Sequence, residues 1–137
     1  MVREKMIFVI DTDVFLSGFI MSSYYPVRLI DYFSDERFAI ALDDRIYFEY
    51  VSVLNRAGLG FESRDVNYLL KFINEIAMFV TAGKLNIDLI YLSDLKFVEV
   101  AKSARVDAVI TNNVEYFESA RDVITALTPE EVFEELL

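Results

Sequence analysis

The chain has 137 residues, a formal net charge of −10 and 55% hydrophobic residues, with only 4 Gly and 2 Pro. That length suits a single domain, 1–137, and a chain this apolar buries a sizeable core instead of staying disordered. It contains no Cys and no His, which excludes disulfides, thiolate nucleophiles, histidine acid–base catalysis and Cys/His zinc sites. Ionic chemistry must run on carboxylates, amides, hydroxyls and amines, and any bound metal would be a hard cation held by oxygen, such as Mg²⁺, Mn²⁺ or Ca²⁺.

The charge is uneven. The first 105 residues carry 15 acids and 12 bases, whereas residues 106–137 carry 8 acids and 1 base. The whole chain therefore offers no general field for nucleic acid, but a local basic strip from Arg28, Arg45, Arg56 and Arg64 stays open. The apolar run after Lys5, Met6 to Ile10, is too short for a signal peptide and is ended by Asp11. No uncharged run approaches the ~20 residues of a membrane span. The expectation is a soluble, cytoplasmic protein.

In chain order, Met6–Ile10 reads as a buried parallel strand, being continuous, apolar and rich in β-branched residues. A loop-to-helix stretch follows, then a helix over Val27–Ser34, after Pro26. Phe38–Leu42 reads as a second strand. Asp43 is placed to cap a helix running to about Arg56, which the Ala57-Gly58-Leu59-Gly60 segment stops. Asp65 to about Val80 reads as an amphipathic helix followed by Gly83, and Leu85–Leu89 is ambiguous. Ser93 is placed to cap a helix to about Ala104, Val106–Ile110 reads as a strand, and Val123–Ile124 falls in a short last strand. Thr128-Pro129-Glu130-Glu131 has the form of a capping box opening a final helix. Alternating strands and helices predict a three-layer α/β/α sandwich with a mostly parallel central sheet.

Ligand sites in such sheets lie beyond the carboxyl ends of the strands. Asp11 and Asp13 follow the first strand, and Thr111, Asn112 and Asn113 follow the strand ending at Ile110. Two helical acids also sit awkwardly. Glu49 borders the apolar stripe Ile46, Tyr50, Val53, Ala57, and Asp94 lies one turn before the inward residues Phe97 and Val98. An ionised carboxylate facing a core is costly unless paired or metal-bound. Each has a plainer alternative: Asp94 as an acid at a helix N-terminus, Glu49 reaching solvent, Asp13 as a cap, the asparagines as turn residues. The 12 Phe and 8 Tyr are mostly core by number and spacing; Tyr24 and Tyr25, in an expected loop, could stack on bases.

These segments resemble the PIN-domain family. Ile10-Asp11-Thr12-Asp13-Val14-Phe15-Leu16-Ser17 resembles the opening motif. Leu42–Arg56, with Glu49, resembles the helix of the second acid. Asp94–Ala101 resembles the helix of the third, and Val106–Asn113, with Phe117 after it, resembles the last site segment. The likeness covers nearly the whole chain in order, and the subgroup it is most similar to is the prokaryotic VapC-like toxins of toxin–antitoxin pairs. The resemblance implies a metal-dependent ribonuclease with Asp11, Glu49 and Asp94 as the acids around Mg²⁺ or Mn²⁺ and Thr111 bonding within the site. Asn113 stands where many members have a fourth Asp, and Asp13 stands where Asn is usual. It also implies RNA as substrate, an antitoxin protein as partner and a homodimer. Two other readings compete. One is a catalytically weak or inactive PIN-like binding or regulatory module. The other is a haloacid-dehalogenase-type phosphatase, whose first motif Asp11-Thr12-Asp13-Val14 also resembles.

Overall fold

The computed structural model describes residues 5–56 and 63–137. Five parallel strands form the sheet: β1 (Ile7–Ile10), β2 (Ala39–Leu42), β3 (Met78–Phe79), β4 (Ala108–Ile110) and β5 (Ala126–Leu127), in the order β3-β2-β1-β4-β5. Among the described residues six α-helices surround it: α1 (Thr12–Ile20), α2 (Tyr24–Ser34), α3 (Asp44–Leu54), α4 (Ser63–Ile76), α5 (Leu95–Ala104) and α6 (Pro129–Glu135). This is the expected α/β/α sandwich.

The central strands explain the layering. Val9, Ile10, Ile40, Ala41, Leu42, Ala108, Val109 and Ile110 are all at most 1% exposed, so both faces of the sheet are covered, as unbroken apolar strands require. Strand order moves one way through β1, β2 and β3, then reverses to reach β4. Right-handed crossovers send connections of opposite direction to opposite faces. The lone crossover helix after β3 is α5, which packs on β1, β2 and β4, while α2 packs on α1 and α6. Gly18 lies where α1 and α2 approach: a Cβ there would meet Ile30 Cδ1 at 2.6 Å and displace that side-chain end.

Several boundaries differ from the sequence reading. The helix expected after Pro26 begins at Tyr24, because proline is tolerated in a first turn whose N–H needs no partner. Tyr24 and Tyr25 are therefore helical, not in a loop. Tyr25 packs on Phe133 of α6, and the Arg28 guanidinium lies over the Tyr24 ring. The helix expected to reach Val80 stops at Ile76, and Met78–Phe79 forms an edge strand too short to show alternation. Ser93 is not the cap of α5. It lies in a 3₁₀ turn, Leu92–Asp94, and Asp94 takes the N-cap position without a side-chain cap bond. The last strand is Ala126–Leu127, not Val123–Ile124, and Ala120 closes a turn onto both of those residues. On α3 the buried stripe runs Ile46, Tyr50, Leu54, with Val53 half-buried. The glycine stop at 57–60 lies outside the described residues. The Asp43 cap, accepting from the Ile46 N–H at 3.2 Å, and the Thr128–Glu131 capping box are as expected.

Leu85–Leu89 forms no regular element, yet Leu85, Ile87 and Leu89 turn alternately toward the core. Two contacts fasten this stretch to α5. Gly83 N–H donates to Ser103 Oγ at 3.0 Å, and Leu85 N–H donates to Glu99 Oε2 at 2.9 Å. Glu99 is buried, and its other oxygen accepts from Arg45 at 2.8 Å, while Arg45 also grips Asp43 at 2.8 Å. Burial pushes the Glu99 carboxyl up, but Arg45 and the Leu85 N–H outweigh it and hold the group below its usual 4.5.

This network gives a testable consequence. Glu99→Ala strands the Leu85 N–H and leaves the half-exposed Arg45 with Asp43 alone, so stability at neutral pH should fall by about 2 kcal/mol. A depressed carboxyl stabilises above its unfolded pKa and loses that contribution as pH falls through its folded value. The difference between wild type and variant in urea unfolding should therefore shrink below about pH 4. A constant difference across pH would assign the loss to packing alone.

Candidate active site

The sheet reverses between β1 and β4, and the candidate residues gather there, at the carboxyl ends of both strands. Register brings Ile10 beside Ile110, so the residues that follow each strand meet. Asp11 N–H donates to the Ile110 carbonyl at 2.9 Å. Its Oδ2 accepts from the Thr111 hydroxyl at 2.8 Å, and that hydroxyl oxygen in turn accepts from the Asn113 N–H at 3.0 Å. The buried Tyr50 hydroxyl donates to the Ile10 carbonyl, one residue before Asp11. Asp11 is thereby fixed by backbone and side chain on both sides of the seam.

Asp11 is only 7% exposed. Burial pushes its carboxyl from the ordinary 3.8 up to about 7. Thr111 opposes the shift, while the charges of Asp94, Asp13 and Glu49 add to it. Asp94, at the start of α5, is likewise raised by burial and by Glu49 and Asp13, with Lys96 working against them. The four acids Asp11, Asp13, Glu49 and Asp94 thus share one electrostatic neighbourhood. Among the described residues, however, no three of them stand close enough to grip a single ion together.

Glu49 is engaged at both ends. One oxygen accepts from the Thr12 hydroxyl, and the other meets Lys96 Nζ at 2.7 Å. Its side chain is 29% exposed and that of Lys96 14%. Lys96 also donates to the Ser93 carbonyl, so an ammonium is built into the acid cluster. Asn112 reaches back to α1, its amide donating to Ser17 Oγ at 2.9 Å and to the Asp13 carbonyl at 3.3 Å. It acts as a clamp between the two strand-end segments. Asp13 is exposed. Asn113 begins a 3₁₀ turn but spends no side-chain bond on capping it.

Sequence reasoning missed Lys96, Thr12, Tyr50 and the Glu99–Arg45 pair. Lys96 left one signal: a cation in the first turn of a helix opposes the dipole and needs a local reason. Nothing local marks Glu99, whose partner lies 54 positions away. The basic strip is also reduced, because Arg45 is bound to Asp43 and Glu99, and Arg28 to the Tyr24 and Tyr32 hydroxyls.

The donor chemistry suits a hard cation. The side chains gathered at the strand ends are carboxylates, amides and hydroxyls, and the carboxylates are short of positive charge even with Lys96 among them.

The raised Asp11 pKa has a signed effect on the metal-free protein. Between about 4 and about 7 the native chain keeps a proton that the unfolded chain has released, so stability falls as pH rises through this window. In EDTA, wild type should unfold at a lower temperature near pH 8 than near pH 5. Asp11→Asn should flatten that slope. An equal slope in the variant would show that Asp11 titrates normally.

Sequence comparison with curated proteins returns no match. Among solved structures, the chain is similar to one chain of the crystal structure of VapBC2 from Rickettsia felis bound to a DNA fragment from their promoter. The TM-score is 0.60 and the identity 11%, over 90% of this chain and 98% of that one. At that identity the likeness concerns the fold. A family model described as a PIN domain matches residues 8–115, and on that span the chain belongs to the PIN-domain family.

Proposed function

We propose that this chain is a Mg²⁺- or Mn²⁺-dependent ribonuclease that hydrolyses RNA phosphodiesters, and that it is the toxin of a toxin–antitoxin pair acting in the cytoplasm. The observation that carries the reading is Asp11. It is a buried carboxylate at the β1–β4 reversal, with one oxygen occupied by Thr111; burial first, and then the charges of Asp94, Asp13 and Glu49, raise its pKa to about 7. Such a group asks for a cation. The family's resemblance to metal-dependent ribonucleases supports the choice of reaction, and the VapBC2 neighbour, a toxin–antitoxin complex, supports an antitoxin protein as partner.

Asp11 and Asp94 would hold the ion, directly or through water. When bound, a divalent cation polarises a phosphodiester oxygen and acidifies the attacking water. The chain's own residues supply the positioning. Thr111 fixes the Asp11 carboxylate by its hydroxyl. Glu49, held between Thr12 and Lys96, would direct the attacking water. Asn113 can place a water by hydrogen bonding, but an amide cannot take its proton. This division explains how hydrolysis could proceed with no His and no Cys.

One observation favours a second reading. Both Glu49 oxygens are already engaged, which fits a catalytically weak PIN-like binding or regulatory module. The phosphatase alternative draws no support from membership of the PIN-domain family.

Thermal unfolding with Mn²⁺ or Mg²⁺ against EDTA, at matched ionic strength, separates the two. A native-state site should add about 2.7 kcal/mol at one hundred times its dissociation constant. Asp11→Asn should keep the fold, lose that gain and lose RNA cleavage. Absence of a metal effect in wild type, or undiminished cleavage by the variant, would sink the ribonuclease assignment.

A further inference from the structure

Two tyrosines border the acid cluster. Tyr91 lies three residues before Asp94, whose N–H donates to the Tyr91 carbonyl at 3.0 Å. Tyr116 lies three residues after Asn113, and its N–H donates to the Asn113 carbonyl at 3.0 Å. One turn of chain thus joins each ring to a candidate site residue, from two separate segments. The rings meet edge to face, with centroids 4.9 Å apart and planes at 73°. The Tyr116 hydroxyl also lies within the field of Asp13, so the pair adjoins the acids in space as well as along the chain.

The two rings differ in role. Tyr116 is half-buried against the core and serves as the anchor. Tyr91 is 50% exposed, between the still more exposed Ile90 and Leu92. In an edge-to-face pair each ring keeps at least one face uncovered by its partner. The surrounding charge narrows the ligand. Positions 88–94 and 111–118 hold Asp88, Asp94, Glu115 and Glu118 and no Lys or Arg. A phosphate gains nothing from such surroundings, whereas a base stacks on an aromatic face without regard to charge.

We propose that Tyr91, anchored by Tyr116, is a stacking platform for one nucleobase of single-stranded RNA, next to the phosphodiester held at the acids. The inference rests on the ribonuclease reading and deepens it. The substrate must be unpaired at that nucleotide, since a base inside a duplex has no free face to offer. Recognition there is tolerant of base identity, because every base has such a face.

The test uses the full chain in Mg²⁺ and a short fluorescent RNA, 2′-O-methylated throughout so that it is not cleaved. Tyr91→Ala should weaken its binding roughly 5- to 150-fold, the range that stacking of one base supplies. Tyr91→Phe and Tyr91→Trp, which keep a ring, should restore it. An abasic version of the oligomer should bind wild type as weakly as the intact one binds Tyr91→Ala. Throughout, the Mn²⁺-dependent rise in unfolding temperature should persist in the Tyr91 variants, which separates this inference from its parent. If that rise is missing in wild type, the ribonuclease reading fails, while the oligomer affinities still decide the platform. Equal binding of intact RNA by wild type and Tyr91→Ala overturns the platform, as does equal binding of intact and abasic RNA by wild type. Loss of affinity for an arginine-rich peptide, with RNA binding unchanged, overturns it in favour of a protein contact.

Discussion

Much of this molecule is arranged around one contact, the hydrogen bond from the Thr111 hydroxyl to the buried Asp11 carboxylate. It closes the seam between β1 and β4, where the strand order reverses. Isolated burial of a carboxylate is among the more expensive arrangements available to a fold. The surroundings over-determine it. Ile110 takes the Asp11 N–H, Tyr50 takes the preceding carbonyl, and Asn112 ties the β4 side to α1. A strand end braced from this many directions keeps a charged group in place where a free loop would let it escape to water.

The two buried acids among the described residues make a useful contrast. Glu99 is fully answered, with a guanidinium on one oxygen and a backbone N–H on the other, and its pKa falls. Asp11 receives one neutral hydroxyl and three neighbouring acids, and its pKa rises. Both carboxylates are withdrawn from water, but only Glu99 is balanced within the chain. A balanced pair fastens the stretch after β3 to α5. An unbalanced carboxylate lowers stability at neutral pH and persists only where something else depends on it. Lys96 is an intermediate case, since it balances Glu49 and leaves Asp11 and Asp94 still raised.

What the sequence made legible follows the physics of each signal. Apolar runs located β1, β2 and β4, because strands buried on both faces exclude polar residues; Asp107, inside the run read as Val106–Ile110, falls before β4 begins at Ala108. The caps at Asp43 and Thr128 were legible because capping is local chemistry. Of the two-residue strands, β3 was read as the end of a helix and β5 was misplaced, since two residues carry no period and depend on hydrogen bonds to a neighbour distant in sequence. The candidate site was legible to the extent that acids at strand ends and on apolar faces are conspicuous. Its second layer was not. Whether Thr12 reaches Glu49, or Lys96 crosses from α5 to α3, is decided by how helices pack, which no single segment encodes.

The position of α5 links the site to the charge of the whole chain. As the crossover that reverses direction, it lies across β1, β2 and β4 and brings its first turn to the strand ends. Asp94 and Lys96 arrive together from that turn, with Glu99 one turn later securing the helix. The positive helix end and one lysine are then nearly all the favourable charge the region offers in a protein of net charge −10. Arg28 and Arg45, which could have extended it, are committed elsewhere. Under the proposed reading, RNA is repelled by the general field and retained by contacts that do not depend on that field: an ion at the acids and an aromatic face beside them. An enzyme built this way discriminates by local fit, because the electrostatic attraction that lets basic proteins bind any nucleic acid is absent.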